Sequence, residues 1–143
     1  DAPGITATQG ASCATGVPLT HRGLANSVQY FTGHRQADKP LDLDWKRLAN
    51  PDTTLVVYMS VVNIGTIAMG LTAEALPGST PVLAVSCGTT PHERRLVSRL
   101  DRIAAEARET GLTTPMLFII DRVVSLYAAQ PVGAVPAQVQ AHA

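Results

Sequence analysis

Runs of consecutive apolar residues form the strongest pattern along the chain. Residues 54–59, Pro81–Ser86 and Met116–Ile120 consist mainly of apolar and β-branched side chains. Short runs of this kind are typical of strands that are covered on both faces. Ser27–Thr32 contains Val, Tyr and Phe and predicts another strand, and residues 93–98 could add one more. The chain is therefore predicted to contain a sheet with buried strands.

Helical patterns fill the segments between these strands. The longest, which ends at Pro77-Gly78, carries its apolar side chains at helical spacing on Ile64, Ile67, Ala68, Leu71 and Ala75. A short helix is expected at residues 45–49, where Asp44 can cap its start, and another at residues 101–109. The small and polar residues 8–18 favour a helical turn. Strands that alternate with helices predict an α/β layered fold.

The composition limits the classes of function. The 143 residues fit one domain with a hydrophobic core. Lys and Arg together number 11, as do Asp and Glu, so no overall field attracts nucleic acid or an anionic membrane. The basic pair Arg94-Arg95 is diluted by its neighbour Glu93. Aromatic residues make up only 4%, which argues against a stacking surface for single-stranded nucleic acid. We expect no nucleic-acid partner.

The cysteine content and the apolar runs bear on the compartment. Cys13 and Cys87 are the only cysteines, which is too few for a disulfide framework or a zinc site. No apolar run approaches the length of a membrane-spanning helix, and we see no signal peptide. We therefore expect a reduced, cytoplasmic protein without a metal site or membrane contact.

Arg22 is the clearest candidate for ligand binding. It lies beside Thr20 and His21 on a turn prepared by Gly16 and Pro18. A guanidinium can donate two parallel hydrogen bonds to a carboxylate, so this group suits a carboxylate-rich ligand. Taken alone, an arginine on a loop is usually a solvated surface residue. His21 could donate another hydrogen bond or simply orient Arg22.

Several short segments occur in an order that is specific, although each segment is weak alone. They are residues 3–7 (PGITA), 16–22 (GVPLTHR), 27–34 (SVQYFTGH), 43–45 (LDW), 54–59 (TLVVYM), 88–91 (GTTP) and 121–124 (DRVV). In these segments the chain resembles the C-terminal half of the uroporphyrinogen-III C-methyltransferases, members of the tetrapyrrole methylase family. We assign residues 1–127 to this C-terminal lobe and expect residues 128–143 to form a flexible tail.

The resemblance implies a fold, a cofactor and a substrate. The fold is α/β, a mixed sheet of about five strands with flanking helices. The implied cofactor is S-adenosylmethionine, and the positions that align with the family's cofactor contacts are Thr6, Ala7, Met59 and Gly88. Arg22, with His21 beside it, aligns with the arginine that holds the tetrapyrrole substrate. The family also implies a homodimer.

The implied reaction is methylation of uroporphyrinogen III to precorrin-2, for the sirohaem, haem d1 or cobalamin branch. The family's N-terminal half is absent, and its candidate bases lie there, so we expect that the chain does not turn over by itself. His34 and His92 are isolated, and the sequence contains no defensible Ser-His-Asp or Cys-His system. The catalytic residues are left unassigned.

Two alternatives stay open, and three departures from the family, together with the absent N-terminal half, motivate the second of them. Ser60 stands where Gly is common, Cys87 where Asn or another residue is usual, and Asp121 at a position often held by Gly near the adenine. Contact between Asp121 and the adenine is therefore in doubt. The alternatives are a methyltransferase for a later precorrin and a non-catalytic binding or dimerisation module.

The ends of the buried strands lead to a geometric prediction. Ligands of open α/β sheets collect at strand ends, where loops expose backbone groups. Met59, Gly88 and Asp121 each stand at or just past such an end. We predict that these three positions converge and that Arg22 faces the same cleft.

Overall fold

A computed structural model describes residue 4 and residues 6–33, 41–59 and 61–127. The helices are α1 (Ala7–Thr15), α2 (Trp45–Leu48), α3 (Ile64–Ala73) and α4 (Ile103–Glu109). The strands are β1 (Ser27–Thr32), β2 (Thr53–Met59), β3 (Pro81–Ser86), β4 (Arg94–Arg99) and β5 (Met116–Ile120). Two 3-10 helices lie at Val61–Asn63 and Arg122–Leu126. The tail predicted at residues 128–143 and the isolated His34 lie outside the described residues.

The five strands form one mixed sheet in the order β1-β2-β5-β3-β4. The pair β1 and β2 is parallel, and the other three pairs are antiparallel. The predicted α/β fold with a five-stranded sheet is confirmed. Residues 93–98 do contain a strand, which is β4, shifted by one residue from the prediction.

Side chains alternate between two apolar layers, one on each face of the sheet. Leu55 and Val57 of β2 point into the layer that also holds α2, α3 and α4. Val56, between them, joins the layer that contains residues of α1 and of the second 3-10 helix. All five residues of β5 are buried, since this strand is central and covered on both faces.

The antiparallel direction of β5 determines which loops lie together. Met116, the first residue of β5, pairs with Met59 at the end of β2 and with Ser86 at the end of β3. We call this side of the sheet the Met116 end. The opposite side, the Asp121 end, holds the starts of β1, β2 and β3 and the residue that follows β5. Six residue steps of β2 separate the two ends, which corresponds to roughly 20 Å.

The predicted convergence of Met59, Gly88 and Asp121 is therefore wrong for Asp121. Met59 and Gly88 follow strands that run in one direction, whereas Asp121 follows the strand that runs between them in the other. The apolar run that predicts a buried strand carries no information on its direction. The backbone N–H of Asp121 donates to Pro81 O at the start of β3 (3.2 Å), which fixes it at the Asp121 end.

Candidate functional site

The first turn of α1 presents backbone donors at the Met116 end that have no partner among the described residues. Thr6 is the N-cap: its hydroxyl accepts from the N–H of Gln9, and the Gln9 side chain accepts from the N–H of Thr6, both at 3.2 Å. This capping box leaves the amides of Ala7 and Thr8 without an intrahelical acceptor. They lie at the positive end of the helix dipole, so the turn suits an acceptor or an anionic group.

Two contacts hold this turn against the sheet. The hydroxyl groups of Thr8 and Tyr58 form a hydrogen bond, and Tyr58 immediately precedes Met59. A Cβ atom built on Gly10 would lie 3.0 Å from Cγ2 of Thr89, so α1 also packs closely on the loop after β3. The structure therefore brings the segments of Thr6-Ala7, Met59 and Gly88 together at the Met116 end.

The loop around Gly88 has an unusual backbone. Cys87 has φ 50° and Thr89 has φ 64°, both in the left-handed region, which costs a non-glycine residue about 1–2 kcal/mol. Such conformations persist only where the surroundings impose them. Here the N–H of Cys87 donates to Pro115 O (2.9 Å), and the N–H of Thr89 donates to Oε2 of Glu93 (2.6 Å). Within the described part of the chain, the N–H and C=O of Gly88 itself have no partner.

Glu93 links this loop to the far end of α1 through an ion pair. Its second oxygen, Oε1, accepts from Nε of Arg95 at 2.5 Å, and Nη2 of Arg95 donates to Ala14 O at 2.9 Å. The side chains of Glu93 and Arg95 are only 13% and 17% exposed. Burial acts to lower the pKa of Arg95, but the side chains of Tyr127 and Glu93 raise it above its ordinary value.

The Thr20–Asn26 loop borders a separate cavity of about 540 Å³. The backbone groups of His21 and Ala25 pair reciprocally at 3.0 Å, and Gly23, at φ 84°, completes the turn between them. Arg22 is exposed, and among the described residues its side chain has no hydrogen-bond or ion-pair partner. Nδ1 of His21 is 3.0 Å from Arg22 O, so the ring contacts the backbone of Arg22.

The prediction that Arg22 shares a cleft with Met59 and Gly88 is wrong. The N–H of Asn26 donates to Asp52 O (3.0 Å), which places the loop beside the start of β2. Nη2 of Arg122 donates to Leu24 O (2.6 Å) and to Asp52 Oδ1 (3.2 Å), which holds the loop at the Asp121 end. The reason is the parallel pairing of β1 with β2, since a segment that precedes β1 must lie beside the start of β2.

Asp121 has a structural position. It is 3% exposed, and its Oδ2 accepts from the N–H of Val123 (3.1 Å) and from the hydroxyl of Thr54 (3.4 Å). Burial raises the pKa of this carboxyl above its ordinary value, although the backbone amides act to lower it. The carboxyl caps the second 3-10 helix at the opposite end of the sheet from Met59 and Gly88.

Sequence reasoning missed three residues that organise the two ends. Glu93 was treated only as a neighbour that dilutes a basic pair, and Tyr58 and Arg122 only as members of matching segments. Their contacts join residues 4 to 98 positions apart, so no local pattern reveals them. His92 is exposed. Within residues 4, 6–33, 41–59 and 61–127, no three His, Cys, Asp or Glu side chains are grouped as metal ligands, and no helix is long and apolar enough to cross a membrane.

The fold is a mixed five-stranded α/β unit in which three segments distant in sequence meet at the Met116 end. Residues 2–104 match the sequence model of the Tetrapyrrole (Corrin/Porphyrin) Methylases. Because the match covers more than half of the 143 residues, the chain belongs to the tetrapyrrole methylase family.

Three relatives show the extent of the similarity. The chain is 48% identical over 124 residues to a uroporphyrinogen-III C-methyltransferase of Paracoccus denitrificans, covering 87% of this chain and 43% of the relative. It is 44% identical over 131 residues to the chloroplastic S-adenosyl-L-methionine-dependent uroporphyrinogen III methyltransferase of Arabidopsis thaliana, covering 90% and 35%. The structure superimposes on uroporphyrin-III C-methyltransferase from Thermus thermophilus in complex with S-adenosylhomocysteine, with a TM-score of 0.70 and 32% identity, covering 88% and 53%. The chain thus spans less than half of the first two relatives and about half of the third.

Proposed function

We propose that this chain forms the donor-binding part of an S-adenosylmethionine-dependent uroporphyrinogen-III C-methyltransferase, whose product is precorrin-2. The observation that carries the proposal is the meeting of three distant segments at the Met116 end. Thr6-Ala7, Met59 and Gly88 lie there beside backbone groups that are free to bind a ligand. The relatives named above favour uroporphyrinogen III as the substrate.

The chemistry of these residues fits the methyl donor. The donor carries a carboxylate, an ammonium group and an adenine ring, which need hydrogen-bond donors and acceptors. The amides of Ala7 and Thr8 and the N–H of Gly88 supply donors, and the carbonyl of Gly88 supplies an acceptor. A Cβ atom on Gly88 would lie 3.1 Å from Cγ1 of Val85, so any other residue at this position would crowd the side chain of Val85. We propose Thr6, Ala7, Met59 and Gly88 as its binding residues.

The protein's part in the reaction is to position the donor and exclude water. When bound, the cofactor supplies a methyl group on a sulfonium, which is already an activated leaving group. The amides of Ala7 and Thr8 and the backbone of Gly88 would hold this donor, which would give its methyl group to a pyrrole carbon and leave as a thioether, while a base would take the proton that the methylated ring releases. Positioning and desolvation are the contributions that the loops of the Met116 end can make. The base is not assigned to this chain.

For Arg22 and His21 we propose a more limited role in substrate binding than the sequence predicts. Because their loop lies at the Asp121 end, we propose that Arg22 holds a carboxylate on the rim of the macrocycle, away from the methyl group. The cavity beside Arg22 supports this role, as does its exposed guanidinium, which has no partner in the part of the chain that the structure describes. A homodimer is proposed on the resemblance, and a cytoplasmic location on the two isolated cysteines; sedimentation velocity tests the first.

The reaction is tested on the complete gene product, since the chain spans only part of its relatives. The protein is incubated with S-adenosylmethionine and either uroporphyrinogen III or a later precorrin, and the products are identified by mass. We expect methylation of uroporphyrinogen III to precorrin-2. If only the later precorrin is methylated, the substrate is that precorrin and not uroporphyrinogen III. If the protein neither binds S-adenosylhomocysteine nor turns over, the proposal is wrong.

A further inference from the structure

The left-handed residues beside Gly88 need an explanation. The two non-glycine residues that flank Gly88, Cys87 and Thr89, both adopt positive φ. This arrangement leaves the N–H and C=O of Gly88 without partners in the described part of the chain. A loop with ordinary dihedrals would be easier to form, so some contact must hold the observed conformation.

Glu93 supplies such a contact at Thr89, as Pro115 does at Cys87. Its Oε2 accepts from the backbone N–H of Thr89 at 2.6 Å, the shortest bond that ties the left-handed residue to the rest of the fold. Its Oε1 is occupied by Arg95, which also donates to the carbonyl of Ala14 in the last turn of α1. One carboxylate thus connects the Gly88 loop with the helix whose first residues are Thr6-Ala7.

We propose that Glu93 is a positioning residue for the methyl donor, which holds the Gly88 loop in the left-handed form that keeps Gly88 N–H and C=O open to ligand. This inference rests on the proposed function. Glu93 acts through Thr89 and Gly88 and does not itself touch the donor.

A second ion pair on the same strand provides the comparison. Arg99 and Asp101 form a salt bridge of 2.8 Å near the other end of β4, with side chains 47% and 43% exposed. Glu93 and Arg95 are 13% and 17% exposed. An exposed pair is screened by water and contributes little. Removing Glu93 leaves the N–H of Thr89 and Nε of Arg95 without their acceptor, although Nη2 of Arg95 keeps its bond to Ala14 O.

The experiment compares three variants of the complete gene product by calorimetric titration with S-adenosylhomocysteine. Glu93→Ala is expected to weaken binding roughly tenfold or more, the scale of losing a hydrogen bond to a charged group. Glu93→Gln should fall between it and the wild type, because its amide oxygen can still accept from Thr89 but its NH₂ group cannot accept from Arg95. Arg99→Gln is the matched control and should bind as the wild type does.

Amide hydrogen exchange of the ligand-free proteins gives a second readout. We expect faster exchange at residues 87–90 in Glu93→Ala, with the rest of the sheet unchanged. A lower melting temperature with unchanged affinity would mean that Glu93 is merely structural and would overturn the inference. If Glu93→Ala does not fold, Glu93→Gln decides by the same two measurements.

The experiment distinguishes failure of the proposed function from failure of the proposed role of Glu93. If the wild-type protein does not bind S-adenosylhomocysteine, both the proposed function and the proposed role of Glu93 are wrong. If the wild type and Glu93→Ala bind S-adenosylhomocysteine equally well, only the proposed role of Glu93 is wrong.

Discussion

The hydroxyl groups of Thr8 and Tyr58 form a hydrogen bond between residues 50 positions apart in sequence. Thr8 is buried in the first turn of α1, and Tyr58 is the penultimate residue of β2. The bond ties the capped start of α1, with Thr6-Ala7, to the end of the strand that carries Met59. Two proposed donor contacts thus share one support.

Replacing Tyr58 by phenylalanine tests this support. The ring can stay in place, but the hydroxyl of Thr8 loses its partner in a buried position, which costs about 1–3 kcal/mol. We expect Tyr58→Phe to lower the free energy of unfolding by this amount in urea titrations and to weaken S-adenosylhomocysteine binding. Thr8→Val in the Tyr58→Phe background should recover part of the stability, because no unpaired hydroxyl remains. Tyr30→Phe, at a side chain 49% exposed, is the control, and an equal loss there would contradict the assignment.

Two glycines of α3 should respond oppositely to alanine. A Cβ atom on Gly70 would lie 2.5 Å from Cδ2 of Trp45, whereas one on Gly65 would lie 3.5 Å from Cβ of Ala104, an ordinary contact. Gly65→Ala should therefore stabilise the protein by up to about 1 kcal/mol through helix propensity. Gly70→Ala should lose about 1–3 kcal/mol from overpacking, offset in part by the same propensity. Urea denaturation measures both, and similar effects at the two positions would show that Trp45 moves freely.

Cys87 stands where the backbone favours another residue. Asn is among the non-glycine residues that tolerate φ near 50°, and Cys is not. The resemblance implies Asn or another residue at this position, and Asn would adopt this φ with less strain than Cys. Cys87→Asn should raise the free energy of unfolding by about 0.5–1 kcal/mol and leave the affinity for S-adenosylhomocysteine unchanged. Cys13→Ser, in a helix with ordinary dihedrals, should show no such gain, and destabilisation by Cys87→Asn would mean that the thiol contributes more than its backbone costs.

The sequence located the elements but not their directions. The bounds of β3 and β5 were predicted to the residue, because a buried strand is a continuous apolar run whose limits are its polar neighbours. The bounds of β1, whose residues are exposed or half-buried, were predicted equally well from its Val, Tyr and Phe. Direction depends on pairing, and pairing is a tertiary property. For this reason Gly88 and Met59 were correctly expected to lie together, while Asp121 and Arg22 were placed at the wrong end.

The organising contacts of the site were also beyond local patterns. Glu93 accepts from Thr89 only because the loop turns back on itself in a left-handed conformation, and nothing in the residues GTTPHE specifies that. Tyr58 meets Thr8 only after the sheet and α1 have packed. Periodicity predicts which side chains are buried, whereas partners of buried polar groups follow from the packed structure.

Arg22→Gln tests whether the Asp121 end binds the substrate independently of cofactor binding at the Met116 end. If Arg22 holds a substrate carboxylate, its loss should cost about 2 kcal/mol, the lower limit for removing one partner of a hydrogen-bonded charge pair. We expect a higher KM for uroporphyrinogen III and an unchanged Kd for S-adenosylhomocysteine, because the loop lies roughly 20 Å from the Met116 end. Arg22→Lys, which keeps the charge but not the forked geometry, should be intermediate. A change in the Kd for S-adenosylhomocysteine would indicate that Arg22 does share a cleft with Met59 and Gly88. An unchanged KM for uroporphyrinogen III would show that Arg22 does not bind the substrate.

The buried carboxyl of Asp121 should make stability depend on pH in an identifiable direction. Burial raises its pKa in the native state, so the folded protein binds this proton more tightly than the unfolded chain does. Relative to Asp121→Asn, the stabilisation is fully present below the unfolded-state pKa of about 3.9 and is lost as pH rises through the higher native pKa. Thr54→Val removes a hydrogen bond that favours the charged form, so it should raise the native pKa further and move the loss to higher pH. Urea denaturation of the three proteins across the acid range measures these differences, and a wild-type advantage over Asp121→Asn that grows with pH would show that hydrogen bonding, and not burial, controls this group.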